Sequence, residues 1–490
     1  MNRIPKLLLM LFVLIITAVP GACRRDRRGE NPSSPALPKA PEHSAAAVTS
    51  YADVVAKVAD AVVTVRSEST VRAPRRYPFS NDPLFREFFG DLFGGPSQPR
   101  LERGLGSGVI VTEDGYILTN HHVVDGADEI RVEMSENRSY KAKIVGSDPP
   151  TDLAVLKIDA DKLAVLRLGN SDQVRVGDVV LAIGNPFGVG KTVTAGIISA
   201  KERSTGMGAG GTFESFLQTD APINRGNSGG ALVNTAGDLI GINSQIVSTS
   251  GAGGNVGIGF AVPSNMARQV AEQLIKSGNV RRGKLGVQIR SVDQDIAVNL
   301  GLNSPKGAIV TSVEAGSAAQ RAGIRQYDVI IQLNGKDVED SNQLRNRIAA
   351  LQPGTEVPLT IIRDGQRQEV RIKLSELSEE SSRASSAQGN DQSGEGHARL
   401  GIRVSPLTPD LAARIGAPRN AQGVVIVDVD PTGPAGQAGL REGDLIQEVN
   451  RQQVRSVADL QNALQRSGNR PALLLIRRQG NQYLVTVPQE

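Results

Sequence analysis

At 490 residues and 39% hydrophobic composition, the chain is too long for one compact core and ordinary enough to be globular along most of its length, so two to four domains are expected. The net charge of +4 is the small excess of 55 basic over 51 acidic residues, with no basic tract interleaved with aromatics, which argues against nucleic acid as a partner. A single cysteine leaves no intramolecular disulfide.

Residues 1–23 have the layout of an export signal: Arg3 and Lys6, an apolar run from Leu7 to Val19, then the small residues Gly21 and Ala22. The run is too short to span a bilayer comfortably. Cys23 follows directly, which suggests a lipid-modified N-terminus and a membrane tether, although Pro20 stands where bacterial lipoprotein signals usually carry an aliphatic residue. Simple cleavage near Gly21 or Ala22 is the alternative. The cluster Arg24, Arg25, Arg27 and Arg28 leaves an uncleaved anchor as a third. Residues 24–48, rich in proline, charge and small residues, read as a flexible tether.

From 49 to 275 short β-branched runs alternate with glycine, aspartate and asparagine: Ala61 to Val65, Gly108 to Thr112, Ile130 to Glu133 and Val179 to Ile183. That rhythm predicts an all-β domain, barrel or sandwich. Residues 67–105 break it as a long loop holding five of the ten phenylalanines within 79–93, expected to contact another subunit or the active site. The last two hundred residues repeat: Ala322-Gly323-Ile324 with Asp328-Val329-Ile330 recurs as Ala438-Gly439-Leu440 with Asp444-Leu445-Ile446. Asn334 and Leu344 recur as Asn450 and Leu460 at the same spacing. Two copies of one small domain follow, 281–375 and 398–488, joined by a linker, 376–397, dense in Ser, Glu, Gln and Gly.

Of four histidines, His43 falls in the tether and His397 in the linker, so any histidine chemistry uses His121 or His122. These end a predicted strand, Gly115 to Thr119, in a small polar turn. In Gly226-Asn227-Ser228-Gly229-Gly230 the glycines suit a nucleophilic serine, which needs a base for its proton and backbone N–H groups for the developing oxyanion. Gly226, Asn227 and Ser228 are the oxyanion candidates, with the N–H groups of Gly226 and Ser228 expected to point the same way. Asp152, at the mouth of the apolar strand Leu153 to Leu156, fits the carboxylate that orients the histidine. The order His, Asp, Ser is that of chymotrypsin-like proteases. Gly190-Lys191-Thr192 fails as a phosphate-binding loop, because Asn185 replaces the required glycine.

The segments Gly106 to Ile110, Thr119 to Val124, Asp152 to Leu156 and Gly226 to Leu232, followed by two repeats, resemble HtrA proteases of the DegP and DegQ type. The resemblance covers about residues 50 to 488. It implies a chymotrypsin/trypsin-like double β-barrel, two PDZ domains (small α+β barrels), and His122 rather than His121 as the base. It further implies an exported periplasmic endopeptidase of the cell envelope that degrades misfolded or unfolded proteins in quality control and stress. A homo-trimer or higher cage, and chaperone activity beside proteolysis, go with it. No metal or cofactor is needed.

The substrate pocket is assigned to Pro222, Ile223, Asn224, Arg225, Ile242, Asn243 and Ser244. Pro222 stands where trypsin-like pockets for basic residues carry an acid, and Asp220 lies further back, so the pocket has no charge to receive Arg or Lys. The resemblance implies small aliphatic residues there. Asn227 cannot form the ion pair by which secreted digestive relatives activate, so switching is expected from loops 67–105, 201–211 and 245–256. The PDZ repeats would receive peptide C-termini on the loops Lys284-Leu285-Gly286-Val287 and, within Arg399 to Ile402, Leu400-Gly401-Ile402. Tyr327 departs from the pattern, since Gly443 holds its place in the second copy. Two rivals are an adaptor with an idle protease domain and a protease dedicated to one anchored signalling substrate.

Overall fold

The computed structural model describes residues 50–71, 100–134, 138–185, 190–205, 213–224, 226–246, 256–377, 397–398, 400–418, 421–468 and 470–489. Cys23, the tether 24–48, the phenylalanines of 79–93, Arg225, Arg399, most of the linker and parts of the expected switching loops lie outside the described residues. Among the described residues no helix is long and apolar enough to cross a membrane.

Two closed six-stranded antiparallel barrels form the first domain. The first contains β1 (Val62–Val71), β2 (Arg100–Ile110), β3 (Tyr116–Thr119), β4 (Glu129–Glu133), β5 (Ser139–Asp148) and β6 (Leu153–Ile158), in the order β1-β2-β3-β6-β5-β4. The second contains β7 (Val179–Gly184), β8 (Thr192–Arg203), β9 (Phe216–Thr219), β10 (Ala231–Asn234), β11 (Leu239–Ile246) and β12 (Gly259–Pro263), in the order β10-β11-β12-β9-β8-β7. Each strand pairs with two neighbours, although among the described residues β2 meets β3 only at Val109 and Ile110 and pairs with β1 alone over the rest of its length.

Strands at the seam between the barrels are buried on both faces, which is why their sequences are runs of apolar residues rather than alternations. In β6, Ala154, Leu156 and Ile158 fill the first barrel while Leu153 and Val155 face the second. In β7, Val180 and Ala182 fill the second barrel while Leu181 and Ile183 face the seam. The helix Ser264–Ser277 lays Ala267, Val270, Ala271 and Leu274 against this shared core and stops at Gly278, φ +76°.

The hairpin β1/β2 stays in register from Val62↔Val109 to Val71↔Arg100, so the ends of segment 67–105 are strand rather than loop. A second departure from expectation is the short helix His121–Val124 in place of a polar turn.

The first repeat contains β13 (Gly283–Lys284), β14 (Val287–Ser291), β15 (Ala308–Val313), β16 (Val329–Leu333), β17 (Lys336–Asp337), β18 (Glu356–Arg363), β19 (Gln366–Lys373) and β20 (Ser375–Glu376). The second contains β21 (His397–Ala398), β22 (Ile402–Pro406), β23 (Val424–Val429), β24 (Leu445–Val449), β25 (Gln452–Gln453), β26 (Ala472–Arg478) and β27 (Asn481–Val487). His397, assigned from sequence to the linker, thus lies in a two-residue strand paired with β22.

The repeated Ala-Gly and Asp motif has a common structural cause. Asp328, 1% exposed, holds the Arg363 guanidinium at 2.7 and 2.6 Å, and Arg363 also donates to the Gly323 carbonyl. Asp444, 0% exposed, holds Arg478 at 2.6 and 2.6 Å, and Arg478 donates to the Gly439 carbonyl. A buried carboxylate needs such a bidentate partner, and both copies supply it from the hairpin that closes the sheet.

Candidate active site

His122 and Asp152 sit on the first barrel, Ser228 and Ser244 on the second, and they meet at the seam. Asp152 follows the turn Pro149–Thr151 and adopts φ +55°, ψ +42°, a left-handed conformation that aspartate tolerates better than most residues. There its carboxylate accepts from two donors of His122, the ring Nδ1 and the backbone N–H. Nδ1 lies 2.9 and 2.8 Å from the two oxygens, and the backbone N–H lies 3.1 Å from Oδ1. Asn120 donates its side-chain amide to the Asp152 carbonyl at 2.9 Å, tying the acid's backbone to the start of the histidine helix.

Ser244 joins acid to serine. Its hydroxyl donates to Asp152 Oδ2 at 2.8 Å, and its carbonyl accepts from Ser228 Oγ at 2.9 Å. Burial pushes the Asp152 carboxyl up, but the neighbouring His122 charge, its side-chain and backbone hydrogen bonds, and the Ser244 hydroxyl together outweigh that and hold it below the ordinary carboxylate value. Ser244→Ala is therefore expected to raise the pKa of Asp152 and, by removing one of the two bonds that hold Oδ2, to lower kcat about 10- to 100-fold. A pH–rate profile and kcat for that variant check it.

The serine loop is fixed from below. Ser107 N–H donates to the Ser228 carbonyl at 2.7 Å, Ser107 Oγ donates to the Gly226 carbonyl at 2.6 Å, and Thr119 Oγ1 donates to the Ser107 carbonyl at 2.7 Å. Gly229, φ +81°, packs so closely that a Cβ would collide with the Ser107 carbonyl and the Thr119 hydroxyl. This is the physical reason for glycine there, and it involves the Gly106–Ile110 motif directly.

Among the described residues no acceptor takes the N–H groups of Gly226 and Ser228, whereas Asn227 N–H donates to the Asn224 carbonyl at 2.9 Å. Of the three oxyanion candidates, Asn227 is thus committed to its own turn.

The pocket assignment divides. Ile223 is 1% exposed and contacts the position where Gly259 lacks a side chain, and the Pro222 carbonyl accepts from Thr194 Oγ1 at 2.8 Å. Ile242 instead packs into the core between the barrels, and the Asn243 amide donates to the Ala231 carbonyl at 3.1 Å, so neither side chain is brought to a pocket. They point to opposite faces of β11, Ile242 into the core between the barrels and Asn243 toward the Ala231 carbonyl. The nearest acid, Asp220, accepts from Ile197 N–H at 2.7 Å. Asn185, which broke the phosphate-loop pattern, bonds Thr64 Oγ1 at 2.5 Å and receives Gly190 N–H at 2.9 Å.

The first repeat docks onto the turn that carries Asp152. Arg282 Nη1 lies 2.9 Å from Asp148 Oδ1, the other arm of the guanidinium reaches Oδ2, and both side chains are buried. The Thr151 hydroxyl donates to the same carboxylate. Phe213, its ring 4.7 Å beneath the Arg282 guanidinium, donates its N–H to the Pro150 carbonyl at 2.8 Å. Asn342 and Asn346, on the helix Ser341–Ala349, both donate to the Glu214 carbonyl.

The two carboxylate-loop candidates are built alike. In the first, the Leu285 and Gly286 carbonyls accept from Ala319 and Glu314, and Gly286 has φ +76°. In the second, the Leu400 and Gly401 carbonyls accept from Ala435 and Asp430, and Gly401 has φ +74°. Among the described residues no acceptor takes the N–H groups of Leu285, Gly286, Leu400 or Gly401. Lys284 pairs with Glu314 at 2.7 Å.

Residues 106–242 match the trypsin-like peptidase domain, and residues 283–374 and 425–478 each match a PDZ domain. The chain is 44% identical over 418 residues to a probable periplasmic serine endoprotease, DegP-like, of Chlamydia trachomatis, covering 84% of this chain and 81% of that relative. It is 40% identical over 445 residues to a probable periplasmic serine protease, do/HhoA-like, of Haemophilus influenzae, covering 89% and 91%. Among solved structures it resembles the HtrA-type protease AlgW with tripeptide, at 41% identity and TM-score 0.54, over 67% of this chain and 98% of that one. The same protease with decapeptide gives 43% identity and TM-score 0.52, covering 67% and 99%.

Proposed function

The chain belongs to the DegP-like periplasmic serine endoproteases of HtrA type, and on that premise we propose that Ser228 is its nucleophile, His122 its general base and Asp152 the carboxylate that orients the base. The observation that carries this reading is the linked set His122–Asp152–Ser244–Ser228 across the seam. The Asp152 carboxylate accepts from Nδ1, which leaves the opposite ring nitrogen to take a proton. Ser228 Oγ, resting on the Ser244 carbonyl, turns about χ1 to deliver its proton to that nitrogen as it attacks the scissile carbonyl. The tetrahedral oxyanion is received by the uncommitted N–H groups of Gly226 and Ser228. Asp152 stays ionised and stabilises the imidazolium that forms.

The substrates are unfolded or misfolded proteins of the periplasm, cut after small aliphatic residues. A pocket bounded by Pro222 and Ile223, with Asp220 engaged by backbone, offers no carboxylate to a basic side chain. Mapping cleavage sites on an unfolded protein checks this. Cuts after alanine, valine and isoleucine are expected, and predominant cuts after Arg or Lys would overturn the assignment. A fluorophosphonate probe reads the nucleophile separately, by the serine that carries the adduct.

The PDZ domains take peptide C-termini, their carboxylates received by the N–H groups of Leu285 and Gly286 and of Leu400 and Gly401. The Arg282–Asp148 contact, four residues from Asp152, gives the first PDZ domain a route to the acid's turn, and with it regulation of activity. Assembly as a trimer or higher cage, chaperone action on the same clients, and a lipid tether at Cys23 complete the reading.

A further inference from the structure

Among the described residues of the two repeats, six non-glycine residues have positive φ, and two of them occupy positions where the sister repeat has glycine. Tyr327 has φ +70° where the second repeat has Gly443 at +83°. Arg451 has φ +66° where the first repeat has Gly335 at +74°. Left-handed backbone disfavours bulky side chains, and each repeat puts one where its sister keeps glycine, at a different place. The two offenders touch each other.

The Arg451 guanidinium stands 5.5 Å from the centre of the Tyr327 ring, and it also pairs with Asp364 of the first repeat at 2.5 Å. The Tyr327 hydroxyl donates to Glu448 Oε2 of the second repeat at 2.6 Å. Burial first, and the Glu448 carboxylate second, push that phenol up, so it stays a donor.

A further asymmetry points the same way. The cross-strand pair Leu475↔Leu484 on β26 and β27 corresponds to Thr360↔Glu369 on β18 and β19 of the first repeat. Leu475 and Leu484, 2% and 3% exposed, pack with Leu473 against Val292, Ile296 and Ile309 of the first repeat. A cross-strand pair that one copy keeps polar is apolar in the other, and it is covered by that first copy. Gln288 and Arg290, from the edge strand β14, reach to Asn481 and to the Leu484 carbonyl.

We propose that Tyr327 and Arg451 key an intramolecular docking site through which the second PDZ domain braces β14, the strand of the first that would accept a peptide. The consequence for peptide rests on the reading of the Leu285–Gly286 loop given above, since that loop runs directly into β14 at Val287. The docking itself does not.

Hydrogen exchange on the full-length protein, without peptide, tests the docking with Tyr327→Gly, Arg451→Gly, the double variant and Leu484→Glu. Each glycine is the residue the sister repeat uses there, so both domains should fold, with β16 and β24 keeping wild-type protection. Amides in β14 and β27 are expected to exchange about tenfold faster in each single variant, and less than additively faster in the double variant, because the two residues share one contact. Leu484→Glu should reproduce that loss. Unchanged exchange in all variants, additive effects, or protection in the wild type that fades on dilution would each overturn the proposal, the last by making the contact one between chains. Peptide affinity measured afterwards on the same variants separates loss of docking from failure of the peptide-binding reading.

Discussion

Ser228→Ala is expected to lower hydrolysis of casein by on the order of 10⁶-fold, leaving only the residual catalysis that substrate binding and the oxyanion donors provide. The substitution removes one oxygen, which bonds a single carbonyl, that of Ser244. The serine loop should keep its shape. It is held by backbone bonds from Ser107 to Ser228 and from Gly229 to Asn243, and by the Ser107 hydroxyl on Gly226. Loss of turnover with an unchanged melting temperature therefore identifies a nucleophile rather than a structural residue. Equal digestion by wild type and variant would place the chemistry elsewhere. Digestion by neither would remove broad unfolded substrates from the reading and favour the protease dedicated to one anchored substrate.

The strands that build the barrels were readable because their period-2 and apolar-run patterns are local, and the repeat because each copy keeps its glycines and aspartate in step. What escaped was carried by contacts between distant residues. Ser244 meets Asp152 across 92 residues and Arg282 meets Asp148 across 134, and nothing around either serine or arginine marks the partner. Ser244 was legible as a pocket residue but not as the link between acid and nucleophile. Ile242 and Asn243 lie next to Ser244 in sequence, but core packing takes the first and the Ala231 carbonyl takes the second, neither of which the sequence shows. The helix at His121–Val124 was read as a turn because four residues are too few to show a helical period. Tyr327 was visible as an exception to the repeat, yet its meaning depended on Arg451, an exception in the other copy that only the docked arrangement brings beside it.

Asp152→Asn is expected to reduce kcat by roughly 10⁴-fold while leaving KM and the fold nearly unchanged. The carboxylate accepts at both oxygens from His122 Nδ1, from His122 backbone N–H and from the Ser244 hydroxyl. An amide has one accepting atom and two donors, so it cannot satisfy all three, and it can turn a donor toward Nδ1 and fix the tautomer that leaves no base facing Ser228. The charge that stabilises the imidazolium is lost as well. The pH dependence separates this from a packing defect. The native Asp152 carboxyl lies below its ordinary value, so the unfolded chain takes up the proton first. Its ionised form therefore contributes stability that is complete above the ordinary carboxylate pKa and is lost as pH falls through the lower native one. The stability difference between wild type and Asp152→Asn should accordingly be largest near neutral pH and shrink in acid, as denaturant unfolding at a series of pH values would read. Near-normal turnover in the variant would mean that another acid orients His122. A stability difference that did not change with pH would mean that the carboxylate is not held ionised by the groups around it.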